Sequence, residues 1–345
     1  MNFFIAPALY AYSAPGPYVF GGTFQSPSTS LSTQLGTTST SYTTIQGYGN
    51  GVWIAYKINS NSPGTFIRTT DNGATWTAFT IAGVASIVVS ISYGNGLWII
   101  SSTTTVAAPV GIHTSTDNGV TWASGAMTGI ATKGQWVVTY AGGQWVGVCR
   151  LNTATSNGTN IGVTSPDGST WTQRSLGTVG GWGNIAHNGA GLYVAATNSN
   201  VPAATTTNSL ITSPDGITWT LRTVPLAIAV NSQIAYGNGV WVIILTGTTG
   251  YLTSANGTTW TQRVLPFSGR GGVVFSGGYF IAVGPGTTGN FNFSKSLDGI
   301  TWTTVAPPSG ELAYSWSYLR ESDFGPVMAF SGSATGVAMR TLLLT

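Results

Sequence analysis

Apolar and polar positions along this chain alternate in short stretches broken by glycine-rich turns, and no 3.6-residue period is sustained anywhere. The stretch Gln233 to Arg263 shows the unit most clearly. An alternating segment ends at Tyr236, and Gly237-Asn238-Gly239 follows as a tight-turn signal that supplies positive φ. The next segment, VWVIIL, is almost wholly apolar, as expected of a strand buried on both faces. A Gly/Thr loop, a short strand YLTS, a second turn and a last strand TWTQR complete four antiparallel strands. The other units align on this frame, with the second strand beginning at Trp53, Trp98, Trp145, Tyr193, Trp241 and Phe280.

The second turn is a motif that occurs six times: TTDNGATW ending at Trp76, STDNGVTW at Trp122, SPDGSTW at Trp171, SPDGITW at Trp219, SANGTTW at Trp260 and SLDGITW at Trp302. The tryptophans stand 46, 49, 48, 41 and 42 residues apart. A steady period of this size, filled with short strands, predicts an all-β propeller of four-stranded antiparallel blades. Asp71, Asp117, Asp167, Asp215 and Asp298 can accept backbone N–H bonds across the turn, and the neighbouring glycine takes a conformation that a Cβ disfavours. Blade five carries Asn256 instead, which keeps an acceptor and loses the charge. Each tryptophan buries a large ring between hairpins.

This motif resembles the Asp-box of sialidase-type and related β-propellers, over residues 41 to 305. The resemblance implies a structural role for the boxes, away from the ligand face. From Ser41 to the end the chain holds about 6.7 units at the mean spacing, which predicts seven blades, with six blades plus a terminal attachment segment as the alternative. The last stretch, from Leu312, offers three strands and no box. Residues 1–40 are expected to add the fourth strand, closing the ring, or to serve attachment, and residues 41–345 to form the propeller.

Composition narrows the function. Only 6% of the 345 residues are charged and no run of Lys or Arg exists, so no nucleic-acid footprint is present. Cys149 is the single cysteine, and with two histidines it cannot build a zinc site, so no metal and no cofactor is expected. No apolar run approaches the ~18 residues of a membrane span. The opening MNFFIAPALYAYSAPG lacks a basic start and reads as a mature segment rather than a signal peptide.

Catalysis looks unsupported. Five of the eight acidic residues belong to the motif, leaving Glu311, Glu321 and Asp323, and glycoside hydrolysis usually needs two positioned carboxylates. Glu321→Gln and Asp323→Asn are expected to be neutral for function. Arg174, Arg222 and Arg263 recur three residues past the motif tryptophan and read as strand surface. The arginine motif and Tyr–Glu pair of true sialidases are not visible. His113 and His187 read as strand histidines, and Cys149 as a small buried hydrophobe.

Recognition remains. The loops between second and third strands, at 57–64, 102–111, 151–160 and 197–208, are long and variable. The loops that lead toward the channel hold Lys133, Trp136, Trp182, Phe267 and Arg270, an aromatic and polar set suited to sugar rings. The composition resembles phage appendage proteins. The expectation is a non-enzymatic propeller of a virion or other extracellular particle, such as a tail fibre, present in many copies beside other appendage proteins and contacting cell-surface glycans. A secreted lectin-like adhesin and a sialidase-like hydrolase are the alternatives.

Overall fold

A computed structural model describes residues 24–25, 45–57, 65–71, 75–84, 87–103, 111–127, 130, 134–152, 158–197, 209–228, 232–266, 272–285, 291–305, 316–320, 327–333 and 336–342. They contain strands and turns and no helix. Strand β1 is Phe24–Gln25. Blade 1 is β2 Ile45–Gly49, β3 Val52–Lys57, β4 Thr65–Thr69 and β5 Thr77–Phe79, and blade 2 is β6 Ile87–Gly94, β7 Leu97–Thr103, β8 Gly111–Ser115 and β9 Ala123–Ala126. Blade 3 is β10 Gly134–Ala141, β11 Gln144–Asn152, β12 Thr159–Ser165 and β13 Thr172–Gly180, and blade 4 is β14 Trp182–His187, β15 Tyr193–Thr197, β16 Ser209–Ser213 and β17 Thr220–Thr223. Blade 5 is β18 Gln233–Gly237, β19 Val240–Ile244, β20 Gly250–Ser254 and β21 Thr261–Val264, and blade 6 is β22 Val273–Ser276, β23 Tyr279–Pro285, β24 Phe291–Ser296 and β25 Thr303–Val305. The chain's last strands are β26 Trp316–Arg320, β27 Val327–Ser333 and β28 Gly336–Leu342.

The first strands of successive blades touch one another in turn, so they line the centre, and each later strand lies further out. The all-β propeller of four-stranded antiparallel blades is therefore as the repeat predicts. The count of seven blades needs correction. Six sheets are blades of the repeat, each made of four consecutive strands with its own motif turn. The remaining sheet, in the order β1-β28-β27-β26, is not a seventh copy. It has no motif turn, and one of its four strands is a two-residue piece from far upstream. Dividing length by spacing counted this sheet as a repeat, although only the motif defines one. It sits with β26 against β22 and β23 on one side and β2 on the other, and Phe24 and Gln25 pair with Leu342 and Thr341. The two ends of the chain thus meet in one sheet.

The apolar second strands explain the packing. Their side chains alternate, and both faces are buried, so each strand feeds two cores. Trp241, Ile243 and Leu245 enter the seam between blades 4 and 5, whereas Val242 and Ile244 enter the seam between blades 5 and 6. Trp145 and Cys149 face blade 2, while Val146 and Val148 face blade 4. The core is therefore a set of seams between blades rather than a single centre.

The motif turns of blades 2 to 6 lock onto the blade before them. In blade 4, Ser213 Oγ donates to Asp215 Oδ1 (3.0 Å), which also accepts the backbone N–H groups of Ile217 (2.8 Å) and Thr218 (2.7 Å). The Trp219 indole N–H donates to Gly216 O at 3.1 Å. Gly216 has φ +71°, and a Cβ there would lie 2.7 Å from Val146 of blade 3, so the turn can seat only with glycine.

Candidate functional site

The residue before each first turn of a blade forms a ring: Tyr48, Tyr93, Tyr140, His187, Tyr236 and Phe275. Register places this ring at the motif-turn end of the channel. Tyr48 pairs with Trp53, and Trp53 pairs with Thr69, the last strand residue before the motif turn. Each ring member packs against the aromatic residue that opens its neighbouring strand, from Tyr48–Trp53 to Phe275–Phe280, with centroids 4.3 to 5.2 Å apart. Tyr93, Tyr140 and Phe275 also lean on the preceding blade. A Cβ on Gly49 would fall 2.1 Å from the Tyr93 ring, and one on Gly94 would fall 2.2 Å from Tyr140 Cβ. With their faces occupied in this way, the tyrosines offer edges and hydroxyls to the channel.

A cavity of about 530 Å³ lies inside the ring. It runs from mid-channel, at Asn184, Gln233 and Val273, to the turn glycines Gly142 and Gly189. Its size falls within the range of small-ligand pockets. Tyr93, Tyr140 and Tyr236 line it, and among the described residues their hydroxyls have no hydrogen-bond partner. Asn184 donates to Ser232 O at 3.4 Å, and Gln233 Oε1 accepts from Val273 N–H at 3.2 Å. These bonds fix two amides across the seams between blades 4, 5 and 6, and Asn184 Oδ1 and the Gln233 amide N–H groups have no partner among the described residues. Among the described residues that line it there is no carboxylate, lysine or arginine. These described residues can hold a neutral polar ligand by hydrogen bonds, and His187 is the titratable imidazole among them.

His187 replaces tyrosine in this ring. Its Nδ1 accepts the Gly189 backbone N–H at 2.9 Å, which puts the ring proton on Nε2. Nε2 is buried without a partner, and burial holds the imidazole below its ordinary pKa, so it stays neutral. The adjacent Tyr193 takes the place of the usual tryptophan and donates to Ala141 O of blade 3 at 2.5 Å.

The sequence-derived residues fall as follows. Trp136 and Trp182 are 0% exposed and belong to the cores between blades 2 and 3 and between blades 3 and 4. Their faces are packed by protein. Trp136 shares the face of Val138 and Tyr140 by ordinary alternation, whereas at Trp182/Asn184 the register shifts and the extra Gly183 puts Trp182 on the face of Ile185. Lys133, Phe267 and Arg270 lie outside the described residues, as do Glu311, Glu321 and Asp323 and most of the four long loops. Cys149 is buried. Among the described residues no group of three or more His, Cys, Asp or Glu could hold a metal. The residues that sequence reasoning missed are the ring tyrosines with Asn184 and Gln233. Their signal was present, since an aromatic residue stands before every first turn.

No family model matches the chain, and no curated protein does. Solved structures do resemble it. YCF48 bound to a D1 peptide is 15% identical, with 95% of this chain and 97% of that one covered and a TM-score of 0.62. A catalytically inactive virginiamycin B lyase from Staphylococcus aureus with quinupristin is 11% identical, covers 93% and 100%, and has a TM-score of 0.63. YjhT is 10% identical, covers 78% and 98%, and has a TM-score of 0.56. At these identities the likeness shows the propeller fold alone.

Proposed function

We propose that this chain is a non-catalytic recognition propeller of a multi-copy extracellular particle, of the phage tail-fibre or virion-surface kind, and that the motif turns are structural Asp-boxes. Its channel mouth takes an uncharged, hydroxyl-rich ligand such as the end of a surface glycan. The observation that carries this reading is the cavity's donor set: among the described residues, three tyrosine hydroxyls without a partner and two anchored amides, with no carboxylate beside them. The described lining offers no pair of carboxylates of the kind that glycoside hydrolysis uses. Propellers similar in shape hold a peptide in one case and quinupristin in another, which supports a ligand-holding role for the scaffold. Binding at one such site is weak, and many copies on one particle make it useful through avidity.

The test is a glycan panel and a whole-cell binding assay on the Tyr140→Phe, Tyr236→Phe double variant. Only two hydroxyls are removed, so the melting temperature should hold. Two hydrogen bonds at about 1 kcal/mol each predict roughly a 30-fold loss of single-site affinity. Unchanged binding in the folded double variant would remove the channel mouth from recognition. Turnover of any panel glycan would overturn the non-catalytic reading.

A further inference from the structure

Blade 5 carries the one motif turn in which the acid is an amide, and the consequences reach beyond the turn. In the acidic turns the second carboxylate oxygen takes a threonine hydroxyl, as between Thr75 and Asp71 (2.5 Å), Thr121 and Asp117 (2.5 Å), Thr170 and Asp167 (3.3 Å) and Thr301 and Asp298 (3.2 Å). In blade 5 the amide oxygen is committed to the turn itself. Asn256 Oδ1 accepts from Ser254 Oγ (3.1 Å) and from the backbone N–H groups of Thr258 and Thr259 (2.9 Å each). Nδ2, a donor, therefore stands where the other turns place an anionic acceptor. Among the described residues neither Nδ2 nor the Thr259 hydroxyl has a partner.

Arg263 lines the same groove. Its Nε donates to Thr253 Oγ1 at 2.8 Å, which orients the guanidinium, and among the described residues neither terminal nitrogen has a hydrogen-bond partner. The groove holds about 290 Å³ between Val240 and Ile300, and Ile300 is 44% exposed. Blades 3 and 4 carry Arg174 and Arg222 at the equivalent position, but their turns keep Asp167 and Asp215. The corresponding groove on blade 6, of about 320 Å³, contains Lys295, which lies over the Tyr279 ring, and also Asp298. Blade 5 alone among these four combines a cation with no motif carboxylate.

We propose that the blade 5 groove binds a carboxylate-bearing sugar unit. Arg263 grips the carboxylate, with Asn256 Nδ2 and Thr259 Oγ1 as further donors, and Val240 with Ile300 supports the C–H face of the ring. The volume suits one or two sugar units and is small for a polypeptide segment. This site is separate from the channel mouth and does not rest on the channel reading.

The experiment titrates a glucuronate-terminated disaccharide, its glucose-terminated counterpart, acetate and a short capped acidic peptide into the full chain. The acidic disaccharide should bind, weaken with added salt, and outcompete the neutral one. Asn256→Asp restores the turn found in the other five blades, so it should keep the melting temperature yet weaken acid-sugar binding about tenfold. Arg263→Gln should do at least as much. Arg222→Gln and the Tyr140→Phe, Tyr236→Phe pair should leave it unchanged. Equal binding in Asn256→Asp and wild type, or equal affinity for the neutral disaccharide, would overturn the site. Acetate or the peptide binding as tightly as the acidic disaccharide would overturn the sugar class.

Discussion

The polar chemistry of individual residues in this chain serves the fold first, and acid should reveal it in two steps. His113 is 1% exposed and fully bonded. Ser124 Oγ donates to Ala82 O, so it accepts from His113 Nδ1–H (2.8 Å), and Nε2 accepts from Ser102 Oγ–H (2.8 Å). Burial pushes the imidazole down from 6.5 to about 4. The unfolded chain therefore binds a proton that the folded chain refuses between those values. Stability should be full above pH 6.5 and should fall by on the order of 3 kcal/mol as the pH drops toward 4. Melting curves from pH 7.5 to 4.5 check this, and His113→Gln should remove most of the slope, leaving the part that His187, also lowered by burial, contributes. The motif aspartates act lower. Hydrogen bonds from the Thr121 side chain to Asp117, and from the Thr170 backbone to Asp167, hold both carboxyls below the ordinary 3.8. For Asp298 burial is the largest single influence and pushes upward, yet the turn's hydrogen bonds together bring it down to about 2. Depressed carboxyls stabilise the fold above their ordinary range, so this second loss begins only below about pH 4. The motif and its local bonding were legible from the spacing of Ser, Asp, Gly and Trp. The Ser102–His113–Ser124 chain was not, because it spans three strands whose register the sequence does not state.

At the level of the element, glycines at the ends of the first strands set the distance between blades. Gly94 is extended backbone, and its hydrogen faces the Tyr140 side chain of the next blade, where a Cβ would sit 2.2 Å away. Gly96, two residues on, has φ +76° and open space around it. Gly94→Ala should therefore cost more than Gly96→Ala. Overpacking a seam costs about 1–3 kcal/mol, whereas the strained turn alanine costs about 1 kcal/mol. Denaturant midpoints of the two variants decide it, and a milder Gly94→Ala would mean that the tyrosine ring is not seated on the preceding blade. Strand identity was legible here, since the apolar second strands and their turns fall within a residue of their expected starts. Side-chain direction on the first strands was not. Blades 2, 3 and 4 each shift register near the start of that strand, at Val88/Ser90, Gln135/Trp136 and Trp182/Asn184, and in blade 4 the shift sends Trp182 into the seam of Ile185 instead of the channel.

The whole molecule makes a site that no local stretch contains. Tyr93, Tyr140, His187 and Tyr236 come from four blades and meet only because their first strands stand side by side around one channel. That arrangement depends on closure, and the sheet that completes the ring sets β26 against β2 and takes its far strand from upstream, with Phe24 opposite Leu342 and Gln25 opposite Thr341. A strand this short contributes few ladder bonds, so the seam between the chain ends is the natural place for the ring to open. A covalent staple tests this directly. Antiparallel partners stand about 4.5–5.5 Å apart at Cα, within reach of a disulfide. Gln25→Cys with Thr341→Cys should oxidise to a bridge that closes nearly the entire chain, and the buried Cys149 should not compete. The oxidised form should gain about 2–4 kcal/mol over its reduced form, seen as a higher melting temperature that a reductant removes. Binding at the channel mouth should survive, because the staple lies in the composite sheet and not among the ring residues. Failure of the pair to oxidise in the folded protein would show that the ends do not meet in this register. A bridge that forms without raising the melting temperature would show that opening begins at another seam, and the weakly tied β1 would then be ornament rather than closure.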